Sequence, residues 1–129
     1  MHVTRGRVPG RPSEQRTATF TGTVHLDLVM DTGDVTVNTV VFTPGARTYW
    51  HAHPGGQLLQ VTGGRGIVAS RGGQASIVAS GDLVWAEPGE EHWHGACPDS
   101  LLTHTAVSHG PTQWQGEVSE PDYTAAQQA

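Results

Sequence analysis

Two histidines and a glutamine lie close together in the segment WHAHPGGQ, which runs from Trp50 to Gln57. His51 and His53 are two residues apart, so in a strand both side chains project to the same face. Gln57 follows a Pro-Gly-Gly turn and opens the next segment, where its side chain can fold back beside them. Imidazole nitrogens and an amide oxygen are ligands of divalent transition metals. The segment therefore indicates most of a metal site.

A third histidine has to come from elsewhere in the chain, and the best candidate is His92. It follows a segment that begins at Gly81 and turns at Pro88-Gly89, which would deliver His92 onto a strand. Three imidazoles and one amide would form a partial coordination shell with open positions for water or substrate. Because none of these four groups is negative, a bound ion would keep its +2 charge and act as a strong Lewis acid. The same neutral shell would hold the ion less tightly than one that contains a carboxylate.

Two further histidines are candidate catalytic residues. His94 lies two residues beyond His92, so in a regular strand it shares the inward face. His104 lies in the segment Thr103–Val107, which we predict as the last barrel strand. A nearby cation favours the neutral form of an imidazole, which is the form that a general base needs near pH 7. The alternative for each is a buried histidine that bonds to backbone or orients a metal ligand.

The elements that must position these residues are short strands. Between Thr17 and Ser108 the chain consists of segments with a period of two, rich in Val, Ile, Thr and aromatic residues and bounded by Gly, Pro or Asp. About eight such strands at even spacing predict an all-β sandwich or barrel. No helical apolar pattern of useful length precedes residue 110. We expect a flexible N-terminal arm over residues 1–16, a barrel over 17–110 and a tail over 111–129 that packs on the barrel or on a partner.

Composition excludes several kinds of partner. The chain of 129 residues has seven arginines, no lysine and twelve acidic residues, with a net charge of −5, which argues against a nucleic-acid partner. No run approaches the roughly 18 apolar residues of a membrane span, and no apolar segment follows the N-terminal arginines as in a signal peptide. Cys97 is the single cysteine, which suits a reducing interior. We therefore expect a cytoplasmic protein with neither a nucleic-acid nor a membrane partner.

Two ordered motifs resemble those of the cupin superfamily. The pattern Gly45-x5-His51-x-His53-x3-Gln57-x5-Gly63 resembles the first cupin motif, and Gly81-x6-Pro88-Gly89-x2-His92 resembles the second. The chain departs from the usual pattern at Gln57, where the first motif has glutamate, and by one residue in the spacings to Gly63 and to Pro88. The segments FTGTV, PGARTYWHAHPGGQ, GDLVWAEPGEEHWHGA and LLTHTAV are similar to small bacterial cupins that include manganese-dependent hydroxynitrile lyases. In that subgroup glutamine is the expected fourth ligand.

The resemblance implies a fold, a cofactor and an activity. The fold is a small double-stranded β-helix, the jelly-roll cupin barrel. The cofactor is one divalent ion per chain, held by His51, His53, Gln57 and His92, with manganese first and iron or zinc as alternatives. The activity is a metal-dependent lyase that breaks or forms a carbon–carbon bond at a carbonyl carbon, on a carbonyl or hydroxynitrile substrate. Single-domain cupins commonly pair, and exposed strand edges need covering, so we also expect a homodimer.

Other functions stay open because one fold hosts many activities. A metal-dependent polyketide cyclase would use a comparable site for an aldol-type ring closure. A three-histidine iron site with open positions could serve a dioxygenase. A non-catalytic cupin that binds a small ligand is the third alternative, although the four ligand positions argue against a degenerate barrel.

Overall fold

The computed structural model describes residues 1–129 as a barrel of antiparallel strands with one short helix. The elements, in chain order, are β1 (Glu14–Arg16), β2 (Phe20–Thr21), β3 (Val24–Asp31), β4 (Val35–Phe42), β5 (Arg47–Thr48), β6 (His51–Ala52), β7 (Gln57–Ser70), β8 (Ala75–Ala79), β9 (Leu83–Ala86), β10 (His92–Ala96), β11 (Leu102–His109), β12 (Gln113–Trp114) and α1 (Glu120–Ala126). Four of these strands, β2, β5, β6 and β12, have only two residues, which explains why the count exceeds the predicted one.

One long strand joins the two layers of the barrel. The first half of β7 pairs with β9 and β11, and β11 continues through β4 and β3 to β1. The second half of β7 pairs with β8 and β10, and β10 pairs in turn with β5 and β6. All of these pairings are antiparallel. The predicted all-β barrel is confirmed.

The change of layer within β7 depends on a glycine. Gly64 has a φ of 71°, and a Cβ at this position would lie 1.8 Å from the carbonyl oxygen of Leu101. A side chain is therefore excluded both by the left-handed backbone and by the close approach of another strand. A Cβ at Gly63 would meet nothing closer than Thr103, at 3.8 Å. The glycine that the fold requires is thus Gly64, one residue after the glycine named in the first motif.

Strand β11 shows how the period of two sorts side chains. Its residues alternate between buried and half-buried along the whole strand, which places Leu102, His104, Ala106 and Ser108 on the inner face. Leu102 belongs to an apolar cluster inside the barrel, together with Val24, Val40, Phe42, Ala46, Val61, Val78 and Ala96. The inner face of β11 therefore changes from apolar to polar along the strand.

The two ends of the chain both contact the barrel. Glu14–Arg16 form β1 and pair with Val24–Leu26, so the last three residues of the predicted flexible arm are part of a sheet. The physical reason is that β3 would otherwise leave its row of backbone groups unpaired on that side. At the other end, Ser119 caps helix α1 by accepting a hydrogen bond from the backbone N–H of Asp122.

Helix α1 covers a second apolar cluster on the outside of the barrel. This cluster consists of Trp50, Ile67, Trp93, Cys97, Val118, Tyr123 and Ala126. The hydroxyl of Tyr123 donates a hydrogen bond to the carbonyl oxygen of Ala96 at 2.7 Å, which ties the helix to β10. The structure contains no helix with the length and apolarity that a membrane crossing requires.

Candidate metal centre and active site

The polar residues inside the barrel come from four neighbouring strands. His51 lies on β6, directly opposite His92 on β10. Gln57 opens β7, and its partner in the antiparallel ladder is Ser108 on β11. His53 follows β6 at the turn before β7. All five side chains are almost completely buried, so the pairing of the strands alone brings residues 57 positions apart in sequence into one cluster.

His51, His53 and His92 are grouped so that they could hold a metal ion. One ring nitrogen from each lies within 4.8 Å of those of the other two. Nδ1 of His51 lies 2.8 Å from the carbonyl oxygen of Tyr49, and Nδ1 of His92 lies 2.9 Å from that of Glu90. A carbonyl accepts only, so each Nδ1 carries the proton and each Nε2 presents a lone pair. Backbone carbonyls thus fix the tautomer that a metal ligand needs.

Gln57 presents its amide oxygen to this group. Its Nε2 donates a hydrogen bond to Oγ of Ser108 at 3.0 Å, and its Oε1 lies 2.9 Å from Nε2 of His92. Because the His92 proton is on Nδ1, two acceptors face each other there without a proton between them. Such a pair is unfavourable unless a cation shares both lone pairs. The donor set therefore fits a divalent ion.

Burial keeps these imidazoles neutral. Burial, reinforced by the neighbouring His92, lowers the pKa of His51 from 6.5 to about 3 and that of His53 to about 4. Burial likewise lowers the pKa of His92. Both ring nitrogens of His53 are buried without a hydrogen-bond partner. An unpartnered buried nitrogen is costly, and a bound ion would remove that cost at His53.

His94 and His104 form a separate hydrogen-bonded pair. Nε2 of His104 lies 3.0 Å from Nδ1 of His94, and both side chains are buried. Burial lowers the pKa of His104 to about 4, and burial together with His104 lowers that of His94 well below its usual value. Nε2 of His94 and Nδ1 of His104 both lack a hydrogen-bond partner. In the neutral pair one proton lies between the two rings and one of these outer nitrogens carries the other proton, so the remaining outer nitrogen is able to accept a proton.

A small cavity connects the two groups. It has a volume of about 80 Å³, and its polar walls include His51, His53, Gln57, His94 and Ser108. Phe20 and Trp114 line the same cavity, with ring centroids 5.6 Å apart, and Trp114 is 40% exposed. His104 does not line it. A wider groove of about 870 Å³ lies between β8 and β9, and His92 is the only histidine that lines it. The polar groups that could do chemistry converge on the small cavity.

The structure gives two residues surroundings that were not predicted from the sequence. Arg47 is only 3% exposed, because its guanidinium packs on the ring of Tyr123 and pairs with Glu120. Both partners belong to the C-terminal segment, which nothing near Arg47 in sequence reveals. Ser108 accepts a hydrogen bond from the amide of Gln57, a contact that was not predicted from the sequence. Its place on the inner face of β11 was the available signal.

Comparisons with known proteins show the family to which the chain is similar. A family described as "Cupin domain" matches residues 38–107. The chain is 42% identical over 111 residues to an (R)-mandelonitrile lyase of Granulicella tundricola, a match that covers 81% of this chain and 85% of that protein. It is 40% identical to a cupin-like protein of Thermotoga maritima whose crystal structure superimposes with a TM-score of 0.85, over 92% of this chain and 96% of the other.

A third relative is similar in fold alone. The polyketide cyclase RemF of Streptomyces resistomycificus shares 18% identity, with a TM-score of 0.74 over 97% of this chain and 99% of the cyclase. These matches confirm the resemblance to cupins, and among cupins to hydroxynitrile lyases, that the two motifs indicated. They also confirm the jelly-roll form of the barrel.

Proposed function

The chain belongs to the cupin family, and from that premise we propose that it is a metal-dependent enzyme that cleaves or forms a carbon–carbon bond at a carbonyl carbon, in the manner of a hydroxynitrile lyase. Its substrate is a small carbonyl compound or the corresponding hydroxynitrile. Support comes from the 42% identity to a protein named for this reaction and from the buried donor set. The likeness to a polyketide cyclase extends to the fold only and does not favour a cyclase.

The observation that carries the proposal is the contact between Nε2 of His92 and Oε1 of Gln57, two acceptors 2.9 Å apart. With His51 and His53 beside them, these residues would hold one divalent ion. We expect manganese because the chain resembles manganese-dependent hydroxynitrile lyases, with iron or zinc, which imidazole ligands suit, as the alternatives. When bound, such an ion supplies a Lewis acid for a substrate oxygen, at full +2 charge since no ligand is a carboxylate.

The protein's own groups would handle the proton. His94 lines the cavity, and in the tautomer whose Nδ1–H donates to Nε2 of His104 its unpartnered Nε2 would take the hydroxyl proton of a hydroxynitrile. The C–C electron pair would then leave with cyanide while the hydroxyl oxygen becomes a carbonyl. His94 would return the proton to cyanide, so that the products are an aldehyde and hydrogen cyanide. His104 would hold the His94 ring through the hydrogen bond to Nδ1.

The walls of the cavity would select the substrate and exclude water. The histidines, Gln57 and Ser108 that line the cavity are buried, so bulk water would not compete for the proton on His94. The aromatic rings of Phe20 and Trp114 line the cavity and would contact the apolar part of a substrate. This arrangement suits a substrate with one polar carbon centre and an apolar substituent.

Metal analysis and one assay test the proposal together. Protein purified without added metal should contain a stoichiometric divalent ion and release benzaldehyde from mandelonitrile. Chelation should abolish the release, and Mn²⁺ should restore it. Turnover that stops without oxygen would favour a dioxygenase, whereas an unchanged anaerobic rate is expected for a lyase. A metal-loaded protein that cleaves no hydroxynitrile would refute the reaction and leave the metal site in place.

A further inference from the structure

The amide of Gln57 can be oriented in two ways, and they have opposite consequences for the metal site. With its oxygen toward Nε2 of His92, the cluster gains a fourth ligand. With its NH₂ group in that place, the amide would donate a hydrogen bond to the lone pair of His92 and close the site. The second orientation is favourable in a metal-free protein, because it pairs a donor with a buried acceptor. A bound ion would select the first, because a cation binds the oxygen and not the NH₂ group, provided that the amide is held against the cluster.

Ser108 is the group that contacts the far side of the amide. The side chains of Gln57 and Ser108 are cross-strand neighbours on β7 and β11, so they lie on the same face of the sheet. Nε2 of Gln57 donates to Oγ of Ser108 at 3.0 Å, and Ser108 is 5% exposed. Water therefore does not replace the hydroxyl easily as an acceptor for the amide.

We propose that Ser108 is a positioning residue that anchors the far end of the Gln57 amide and so holds its near end against the histidines, where a bound ion would take the amide oxygen as a ligand. The inference rests on the proposed metal site and deepens it. It does not depend on which reaction the site catalyses, because the contact acts on metal binding before any substrate enters.

The test is a double-mutant cycle on the dissociation constant for Mn²⁺ alone, measured by competition with a chelator. Ser108→Ala should weaken binding about 10- to 100-fold, as is usual when a residue that orients a ligand is lost. Ser108→Thr keeps the hydroxyl and should restore most of the affinity. In a Gln57→Ala background, Ser108→Ala should change the affinity by less than about 2-fold, since the shared partner is gone.

Two controls separate this role from a structural one. Thr105→Ala removes a hydroxyl from the same strand on its half-buried outer side and should leave the Mn²⁺ affinity unchanged. The thermal midpoints of the metal-free Ser108→Ala and wild-type proteins should be similar, which shows that the barrel is folded in both.

Several results would overturn the proposal. Unchanged Mn²⁺ affinity in Ser108→Ala would do so, and so would an equal loss in both backgrounds, because Ser108 would then act without Gln57. Failure of Ser108→Thr to restore affinity would point to packing rather than to the hydroxyl. A wild-type protein that binds neither Mn²⁺ nor Zn²⁺ would refute the metal site and the role of Ser108 together. If the double-mutant cycle gives the expected Mn²⁺ affinities in a protein without lyase activity, the role of Ser108 is supported and only the proposed reaction is refuted.

Discussion

Nε2 of His104 lies 3.0 Å from Nδ1 of His94, so a single hydrogen bond joins two buried imidazoles beside the candidate metal centre. The two are not equivalent, because His94 lines the cavity and His104 does not. From the sequence, both residues were candidate general bases. The geometry favours His94 as the group that meets a substrate and His104 as the group that holds its ring.

We expect His94→Ala to retain its metal and to lower kcat for mandelonitrile cleavage by about 10²–10⁴, the usual contribution of a general base. The loss should fall on kcat rather than on KM, because proton transfer belongs to the transition state. Steady-state kinetics with parallel metal analysis would measure both. The kcat of His104→Ala should lie between those of the wild type and His94→Ala, because Nε2 of His94 remains in that variant. If His104→Ala instead loses its metal, His104 is a ligand and our assignment is incorrect.

Removing one of the predicted ligands should strip the metal without unfolding the barrel. His53→Ala removes an imidazole that has no hydrogen-bond partner in the metal-free protein, so the fold itself loses no bond. Elemental analysis should find no stoichiometric metal in this variant or in His92→Ala, while circular dichroism stays that of a β protein. His25, on the partly exposed strand β3, offers a matched control: His25→Ala should keep its metal. Full metal content in both ligand variants would place the ion elsewhere.

Gln57→Glu replaces the amide by a carboxylate of nearly the same shape. The added negative charge should strengthen Mn²⁺ binding, because it compensates part of the charge of the ion. The same charge should reduce Lewis acidity, and so we expect kcat to fall while affinity rises. Chelator competition and steady-state kinetics would be measured on one preparation. A variant that gains both affinity and rate would show that the neutral shell is not what sets the reactivity.

The hydroxyl of Tyr123 should contribute measurably to the attachment of helix α1. It donates to the carbonyl oxygen of Ala96 in a buried contact, so Tyr123→Phe should lower the free energy of unfolding by about 0.5–1.5 kcal/mol. Urea denaturation would measure the change. Tyr49→Phe removes the same hydroxyl from a half-buried side chain and should have a smaller effect. Equal effects of the two changes would mean that the bond to Ala96 adds nothing.

A homodimer is expected because several strands have an unpaired edge. Strands β1 and β2 end the path of paired strands, and β8 and β9 each pair with β7 alone. On β9 the side chains of Leu83 and Trp85 are 64% and 47% exposed, so an apolar surface accompanies an open edge. Light scattering at micromolar concentration should give twice the mass of the chain, 13.7 kDa. A monomer mass would contradict the expectation.

The sequence by itself determined the class of fold and most of the candidate ligands. Alternation along a strand is a local property, so the shared inner face of His104, Ala106 and Ser108 could be predicted from their spacing alone. The two motifs likewise indicated His51, His53, Gln57 and His92 as candidate ligands, because residue types and intervals that suit a metal occur within short segments.

Only the tertiary structure decided which of these groups touch and what surrounds them. Gln57 meets Ser108 across 51 positions, and Arg47 is buried by residues more than 70 positions later. The same is true of the tautomers of His51 and His92, which depend on backbone carbonyls at set distances. The physical reason is that hydrogen bonds and burial depend on separations of a few ångströms between strands. Those separations follow from strand pairing and register, which no local pattern of residues specifies.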